Sequence, residues 1–261
     1  MKINLKGKKA LIGGSSGGIG KAIAKQLAES GASVTLMARS EDKMRAIIKN
    51  LPTQDGQQHQ FLKVDFTDFE NYRRIISAFF EKNQVDVLVN NTQGPAAGGA
   101  LEKKVDDYQN AFDLLFKTVV CTTELALKHM EGQGWGRIIN VASISVKEPL
   151  NYLALSNTIR AAVVTWAKSL SLDVAKNGIT VNNVLTGYFD TERIAQLNAK
   201  KAQKMGLSET EVRSAMEGQV PLKRIGMPEE YGYLVAFLAS DKAAYINGAN
   251  IPIDGGLLRS L

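Results

Sequence analysis

Residues 9–27 read "KALIGGSSGGIGKAIAKQL" and join an apolar run, a glycine-rich turn and an amphipathic repeat. Three glycines, Gly14, Gly18 and Gly20, form the pattern G-x3-G-x-G immediately before the amphipathic repeat. Glycine permits a tight turn and lets a phosphate approach backbone N–H groups closely. The N-terminus of a helix adds unpaired N–H donors and a partial positive charge. The stretch therefore predicts a strand, a phosphate-binding turn and a helix, in that order.

The alternation of strand and helix patterns continues through the chain. Short apolar runs rich in Val, Ile and Leu predict buried strands at 9–14, 32–38, 60–65, 85–91, 136–143, 179–185 and 249–254. A 3.6-residue apolar period predicts helices at 20–30, 68–82, 105–130, 152–178 and 227–240. Such alternation favours right-handed βαβ units. We therefore predict an α/β fold, a single doubly wound (Rossmann-type) domain over 1–261 with a seven-stranded parallel sheet flanked by helices.

Residues 188–227 interrupt this alternation. They are polar and helical in pattern, and "SETE" places a capping box at Ser208 and Glu211. Ligands of doubly wound folds bind at the carboxyl ends of the strands. Because the segment follows the sixth predicted strand, we expect it to form a helical lid over a small-molecule substrate at that edge.

The composition narrows the classes of partner. The chain has 44% hydrophobic residues, a net charge of +6 and one cysteine, Cys121. A single cysteine excludes an intrachain disulfide and suits a reducing compartment. Neither a signal segment nor a membrane-spanning run is recognisable, so we predict a cytoplasmic protein without a membrane partner. The densest basic stretch, 198–204, contains no aromatic residue, so we predict no nucleic-acid partner, and we predict no metal site.

Further motifs follow the glycine-rich turn in a fixed order. They are "DVLVNNTQG" (86–94), "GRIINVASIS" (136–145), "GITVNNVLTGYFDT" (178–191) and "YINGANIPIDGG" (245–256). Together with the turn, they resemble the short-chain dehydrogenase/reductase family over almost the whole chain, and most closely its 3-oxoacyl carrier-protein reductase-like branch. The resemblance implies a nicotinamide cofactor, oxidoreductase activity on a carbonyl or alcohol group, and a homotetramer or homodimer.

The end of the second predicted strand distinguishes NAD from NADP. An acidic residue there binds the ribose 2′-hydroxyl of NAD, whereas a basic residue accommodates the 2′-phosphate of NADP. The sequence has Ala38 followed by Arg39, and a guanidinium binds phosphate through two hydrogen bonds. We therefore predict NADP(H) as the cofactor. The resemblance implies its other contacts, which are Gly14, Ser15, Ser16, Gly18, Ile19, Gly20, Ser40, Asp65, Phe66, Asn91, Thr92, Gly187 and Thr191.

The stretch "SNTIR" (156–160) bears most directly on the chemistry. In the family that the chain resembles, a strand-five serine is followed by a Tyr-x-x-x-Lys pair, whose tyrosine protonates the carbonyl oxygen. Ser143 matches that serine, but Ser156 and Arg160 occupy the tyrosine and lysine positions, and we assign the catalytic roles to these three residues. A serine hydroxyl is shorter than a phenol and a weaker acid, and arginine is always protonated. Loss of a positioned acid costs roughly 10²–10⁴ in rate.

Two other residues are candidates for the missing acid, and three interpretations of the function stay open. Leu115 stands where the family has an asparagine, and Lys147 and Tyr152 are weak candidates for the acid. Tyr152 precedes Ser156 by one helical turn, and helical side chains lean toward the N-terminus, so its ring should point away. We place first an NADP(H)-dependent oxidoreductase with an altered proton-transfer site. The alternatives are an NADP-binding protein without dehydrogenase turnover and a non-redox enzyme on the same scaffold.

The two longest helical patterns bear on assembly. Segments 106–131 and 152–177 carry more apolar positions than one sheet face can cover, with Phe112, Leu115, Phe116 and Val119 at helical spacing. The resemblance implies that these helices pair across a two-fold axis.

Overall fold

The apolar runs form a sheet in the computed structural model, which describes residues 2–260. The strands are β1 Lys9–Gly13, β2 Ser33–Ala38, β3 Gln60–Lys63, β4 Val87–Asn90, β5 Gly136–Val141, β6 Ile179–Thr186 and β7 Asn250–Ile253. The helices are α1 Gly18–Glu29, α2 Glu41–Ile48, α3 Phe69–Phe80, α4 Val105–Phe112, α5 Thr118–Gln133, α6 Ala154–Val174, α7 Glu192–Met205, α8 Glu209–Gln219 and α9 Pro228–Ala239.

The seven strands lie parallel in the order β3-β2-β1-β4-β5-β6-β7. The chain builds outward from β1 to β3 and then returns to the centre, where β4 pairs with β1. The strand order therefore reverses between β1 and β4. In doubly wound sheets the crevice beyond the strand ends at this point is the ligand site. The predicted fold class is confirmed, and the reversal locates the candidate site.

The sheet is covered on both faces. Neighbouring strand residues point to opposite sides, and both Leu11 and Ile12 are fully buried. Ile12 belongs to the core that includes α1, α2 and α9, whereas Leu11 belongs to the core that includes α3 to α6. This two-sided burial explains why the central strands read as continuous apolar runs instead of alternating ones.

The helices differ from the sequence prediction in three places. The predicted helix 105–130 is divided, because a π-helical turn at Asp113–Lys117 joins α4 to α5. The helix α2 was not predicted, and its only buried residues, Met44 and Ile47, form too short a pattern. The helix predicted from residue 152 begins at Ala154. Tyr152 therefore lies in the turn before α6 and not on the helix.

Residues 188–227, called the helical insertion below, contain α7 and α8. The predicted capping box is confirmed, since the Ser208 N–H donates to Glu211 Oε2 at 2.8 Å and the Glu211 N–H donates to Ser208 Oγ at 3.2 Å. Arg213 donates to both carboxylate oxygens of Asp190, at 3.1 and 3.0 Å, and ties α8 to the start of the insertion. Within residues 2–260, the helices are all too short or too polar to cross a bilayer.

Candidate active site

A pocket of about 670 Å³ lies beyond the carboxyl ends of the central strands. Its walls come from the turn after β1, the residue after β2, the loop after β4, the end of β5, the first turns of α6 and the start of the helical insertion. Of the predicted site residues, those that line it are Gly14, Ser16, Gly18, Ile19, Gly20, Arg39, Asn91, Thr92, Ser143, Ser156, Arg160, Gly187 and Thr191. The fold thus brings both ends of the predicted site into one cavity.

The glycine-rich turn is held in shape by close backbone packing. Gly14 has a φ of +56°, a conformation that favours glycine. A Cβ on Gly20 would lie 2.3 Å from the Gly14 carbonyl oxygen, so no other residue fits there without displacement. The Asn91 side chain donates to the Gly13 carbonyl at 3.0 Å and joins the turn to β4. The turn therefore leaves its backbone, and the start of α1, open to the pocket.

Ser15 lies outside the pocket lining. It is fully buried, and its hydroxyl donates to the Ile12 carbonyl at 2.9 Å and accepts from the Met37 N–H at 2.9 Å. The hydroxyl therefore bridges β1 and β2 beneath the turn. Its side chain supports the backbone of the glycine-rich turn, and its hydroxyl proton is already donated to the Ile12 carbonyl.

The residues predicted to contact the adenosine part of the cofactor also divide into those that line the pocket and those that do not. Arg39 is exposed and lines the pocket, and the neighbouring Ala38 is buried and neutral. Ser40 is the residue that precedes α2. Asp65 accepts hydrogen bonds from the Thr67 hydroxyl at 2.7 Å and the Thr67 N–H at 2.9 Å, and these contacts, with Arg39 as a weaker influence, hold its pKa below the usual range.

Phe66 packs on a buried ring instead of lining the pocket. Its ring centroid lies 5.3 Å from that of Tyr72. The cofactor roles of Ser40, Asp65 and Phe66 therefore stay predictions.

A ladder of four asparagines crosses the sheet beneath the pocket. Asn90 donates to Asn140 at 2.9 Å, Asn140 to Asn183 at 2.9 Å, and Asn183 to Asn250 at 2.8 Å. These residues are paired in register on β4, β5, β6 and β7. The ladder satisfies buried amides and fixes the ends of the strands that carry the site. Sequence reasoning missed it, because only the register shows that four separate asparagines are neighbours.

Ser143, Ser156 and Arg160 share one wall of the pocket. Ser143 follows β5, and its hydroxyl accepts from the Ser145 N–H at 3.1 Å. Ser156 and Arg160 lie one helical turn apart at the start of α6, and Ser156 is only 9% exposed. The Arg160 guanidinium donates to the Val141 carbonyl at the end of β5. Burial lowers the pKa of Arg160, although a guanidinium stays protonated in proteins.

Leu115, which the resemblance aligns with the family's asparagine, lies in the π-helical turn. Leu115 is 3% exposed and offers no polar group. Beside it lies a cavity of about 10 Å³, also lined by Asn90, Thr92, Asn140 and Arg160. That volume accommodates roughly one water molecule. Polar groups of the sheet therefore border Arg160 on its inner side.

The two candidate replacement acids do not line the pocket. Tyr152 is 49% exposed, and its hydroxyl group lies against Tyr188. Burial, and then this contact, raise the pKa of Tyr188 to about 12. Lys147 lies outside the lining as well. The structure thus brings together Ser143, Ser156 and Arg160, without a phenol beside them in the lining.

The helical insertion approaches the glycine-rich turn from the opposite side. Thr191 caps α7 by accepting from the Ile194 N–H, and a Cβ on Gly18 would lie 3.2 Å from the Thr191 methyl carbon. Glu192 lies 3.5 Å from the Lys43 ammonium on α2, and Arg193 donates to the Pro95 carbonyl at 3.4 Å. These contacts connect the insertion to both sides of the pocket.

Comparison with known proteins identifies the relatives of this arrangement. The family model described as enoyl-(acyl carrier protein) reductase matches residues 14–258. The chain is 34% identical to the 3-oxoacyl-[acyl-carrier-protein] reductase FabG of Rickettsia conorii, covering 98% of this chain and 99% of that protein. It is 34% identical to FabG of Vibrio cholerae, with the same coverage.

Solved structures agree with the sequence relatives. L-sorbose reductase from Gluconobacter frateurii, in complex with NADPH and L-sorbose, is 29% identical with a TM-score of 0.92 and full coverage of both chains. YwfH, an NADPH-dependent reductase involved in bacilysin biosynthesis, is 28% identical with a TM-score of 0.90, covering 97% of this chain and 99% of YwfH. These neighbours use the cofactor predicted from Arg39. The chain therefore belongs to the short-chain dehydrogenase/reductase family of oxidoreductases.

Proposed function

We propose that this chain is an NADP(H)-dependent oxidoreductase that acts on a carbonyl or alcohol group with Ser143, Ser156 and Arg160 at its reacting end. The observation that carries the proposal is the single pocket that joins the glycine-rich turn to these three residues. Similarity to FabG enzymes and to L-sorbose reductase supports hydride transfer, but the individual substrate is not implied by it.

The residues present fit the cofactor at its phosphate groups. The glycine-rich turn leaves room where a Cβ on Gly17 would meet no atom within 4 Å, and the N-terminus of α1 adds N–H donors. Arg39 would bind the 2′-phosphate, Gly187 would border the cofactor directly after β6, and Thr191 would border it from the insertion. When bound, NADPH supplies a hydride. We further propose that residues 188–227 act as a lid, since they contact both sides of the pocket.

The reacting end supplies charge stabilisation in place of a phenolic acid. The Ser143 hydroxyl can orient the substrate carbonyl, and Arg160 can stabilise negative charge that develops on its oxygen. Ser156 is short, so it leaves space in which water can reach that oxygen and provide the proton. Water is a weaker acid than a positioned phenol. We therefore expect simple ketones to turn over roughly 10²–10⁴-fold more slowly than with an intact tyrosine–lysine pair.

The experiment that tests this proposal follows NADPH absorbance with a panel of ketones, diketones and oxo acids. Consumption of NADPH with formation of the matching alcohol is the expected result. Tight NADPH binding without turnover on any carbonyl would favour the alternative of a cofactor-binding protein. Carbonyl or double-bond chemistry that leaves NADPH unchanged would favour a non-redox enzyme. A crystal structure with NADPH would show which side chains lie near nicotinamide C4.

We also propose a homodimer or homotetramer built on α4, α5 and α6, in the cytoplasm. Leu115 and Val119 are buried within the chain, so they cannot supply the interface, contrary to the pattern-based expectation. Support comes from Leu172 on α6, which is 68% exposed, and from the partly buried Phe112–Phe116 stack. Light scattering at micromolar concentration should give at least twice the monomer mass. A monomer at that concentration would contradict the assembly.

A further inference from the structure

Among residues 2–260, Arg137 is buried and Arg160 is partly buried, and the surroundings of the two side chains differ. Arg137 is 2% exposed. It donates to the Gly136 carbonyl at 2.8 Å and the Gly178 carbonyl at 3.1 Å, and it lies 3.5 Å from the Asp241 carboxylate. Two backbone carbonyls therefore accept hydrogen bonds from its guanidinium, and one carboxylate balances its positive charge.

Arg160 lacks such a match. Among residues 2–260, its guanidinium has one hydrogen-bond acceptor, the Val141 carbonyl, and no carboxylate within salt-bridge distance. Of the described residues, Tyr231 is an ionisable side chain that lies near Arg160, and burial lowers the pKa of Arg160. A guanidinium cannot release its proton in response. Because the chain provides one acceptor, the partly buried guanidinium keeps N–H donors available for an anionic partner from outside the chain.

The open donors of Arg160 belong to the wall of the pocket. Arg160, Ser156 and Ser143 all line it. Ser156 precedes Arg160 by one turn of α6, which places the two side chains on the same helical face. The smaller Ser156 side chain leaves space where the family's pattern would place a phenol. Two hydroxyl groups and a guanidinium therefore surround a space that a ligand group can occupy.

The cofactor does not supply the missing negative charge at this position. Its negative charges are carried by phosphate groups, which we assign to the turn after β1 and to Arg39 after β2. The strand β5, whose end holds Arg160, lies two strand positions from β1 and three from β2. At a strand spacing of about 4.8 Å these separations are about 10 and 14 Å. An anion that binds Arg160 would therefore come from the substrate.

We propose that Arg160, with Ser156, binds a carboxylate group of the substrate while Ser143 orients the neighbouring carbonyl, so that this chain acts on oxo acids or hydroxy acids. This inference rests on the proposed function, because it assigns the substrate class of the same pocket. A planar guanidinium matches a carboxylate through two parallel hydrogen bonds, which a lysine ammonium cannot do. Carboxylate binding thus gives a chemical reason for arginine, instead of the family's lysine, at position 160.

The reaction balances with this substrate. The carbonyl carbon of the oxo acid accepts a hydride from NADPH, and its oxygen takes a proton from water. The products are the hydroxy acid, NADP⁺ and hydroxide. The carboxylate is unchanged and holds the substrate against Arg160 throughout.

Calorimetric titration of the NADP⁺-saturated protein tests the subsite without relying on turnover. The probes are phenylglyoxylate and its neutral methyl ester, which differ in one negative charge. The acid should bind at least about tenfold more tightly than the ester, as expected for hydrogen bonds to a charged group. Arg160→Gln should remove the preference, and Arg160→Lys should retain part of it.

A matched control removes a positive charge elsewhere. Arg74 is exposed on α3, away from the pocket, so Arg74→Gln should leave the preference for the acid unchanged. Circular dichroism and NADPH titration of each variant report whether the fold and the cofactor site persist. If Arg160→Gln does not fold, the wild-type comparison of acid with ester and the Arg160→Lys result still decide the question.

Several results would overturn the carboxylate subsite. They are equal binding of acid and ester, a preference that survives Arg160→Gln, and no binding of the acid in the millimolar range. Failure of the reductase proposal looks different. Arg160-dependent acid binding without NADPH oxidation would leave the subsite standing and reject the reductase. NADPH-dependent reduction of neutral ketones without a preference for acids would reject the subsite and keep the reductase.

Discussion

The pocket has two ends that differ in how firmly their polar groups are engaged. The phosphate end, formed by residues 14–20 and Arg39, is set by backbone packing, with Gly20 against the Gly14 carbonyl. The reacting end, formed by Ser143, Ser156 and Arg160, depends on side chains, and Arg160 is held by one carbonyl of β5. From the resemblance of its motifs, we expect the phosphate end to follow the family's pattern and the reacting end to depart from it at Ser156 and Arg160.

On the proposed assignment of the two ends, cofactor binding and proton transfer depend on separate sets of residues. Glycines in the turn are required by backbone geometry, because a Cβ there would collide with neighbouring main chain. Ser156 and Arg160 fit into α6 without disturbing the sheet or the asparagine ladder. The scaffold therefore tolerates new chemistry at one end while it keeps the other.

The largest expected effect is a gain of activity at the reacting end. The double change Ser156→Tyr with Arg160→Lys should raise NADPH-dependent reduction of a reactive neutral diketone at least about tenfold, toward the 10²–10⁴ that a positioned acid supplies. Each single change should do less, because the phenol and the lysine act together. Initial rates at saturating NADPH measure this. Brisk wild-type reduction that the double change abolishes would show that Ser156 and Arg160 already form an efficient proton-transfer site.

A smaller effect, a loss of NADPH affinity and of stability, is expected at the phosphate end. In Gly20→Ala the new Cβ would lie 2.3 Å from a backbone oxygen, and overpacking of this kind costs about 1–3 kcal/mol. NADPH affinity should fall together with the free energy of unfolding. The matched control is Gly132→Ala in α5, where a Cβ meets no atom within 4 Å and a gain of up to about 1 kcal/mol is expected. Urea unfolding and NADPH titration of both variants measure the contrast, and equal stability of Gly20→Ala and wild type would refute it.

These two ends also show how far the sequence alone leads. All seven strands were predictable from short apolar runs, which are continuous in the buried central strands and weaker in the edge strands β3 and β7. The π-helical turn at 113–117 was not, since an extra residue in a helix leaves the apolar period almost unchanged. The order of the motifs was enough to predict that one pocket is lined by Gly14, Arg39, Ser143 and Arg160. The supporting role of Ser15 and the asparagine ladder required the observed register between strands.

The smallest expected effect concerns the end of the helical insertion. Arg224 donates to Glu230 at 2.7 Å, and this bond, followed by the Met227 N–H, lowers the pKa of Glu230 to about 2. A carboxyl whose pKa is lowered by folding stabilises the protein above its unfolded pKa, and this contribution is lost as the pH falls toward 2. Because the Glu230 side chain is 38% exposed, Glu230→Gln should cost less than about 1 kcal/mol at pH 7.

Urea unfolding at pH 7 and at pH 3 measures this pH dependence. The difference between Glu230→Gln and wild type should shrink at the lower pH, because protonation of the wild-type carboxyl removes part of its advantage. A difference that stays constant or grows as the pH falls would contradict the assigned ion pair.

The most direct test of the account is a fluorescence titration of the wild type and of Arg39→Ala with NADPH and NADH. Arg39 is assigned to the cofactor's 2′-phosphate, and β2 ends on the neutral Ala38 instead of an acidic residue that could hold the ribose of NADH. Wild-type protein should bind NADPH about tenfold or more tightly than NADH, as a charged hydrogen bond provides. Arg39→Ala should lose that difference by weakening NADPH alone. Equal affinities in the wild type, or a preference for NADH that survives Arg39→Ala, would contradict the account.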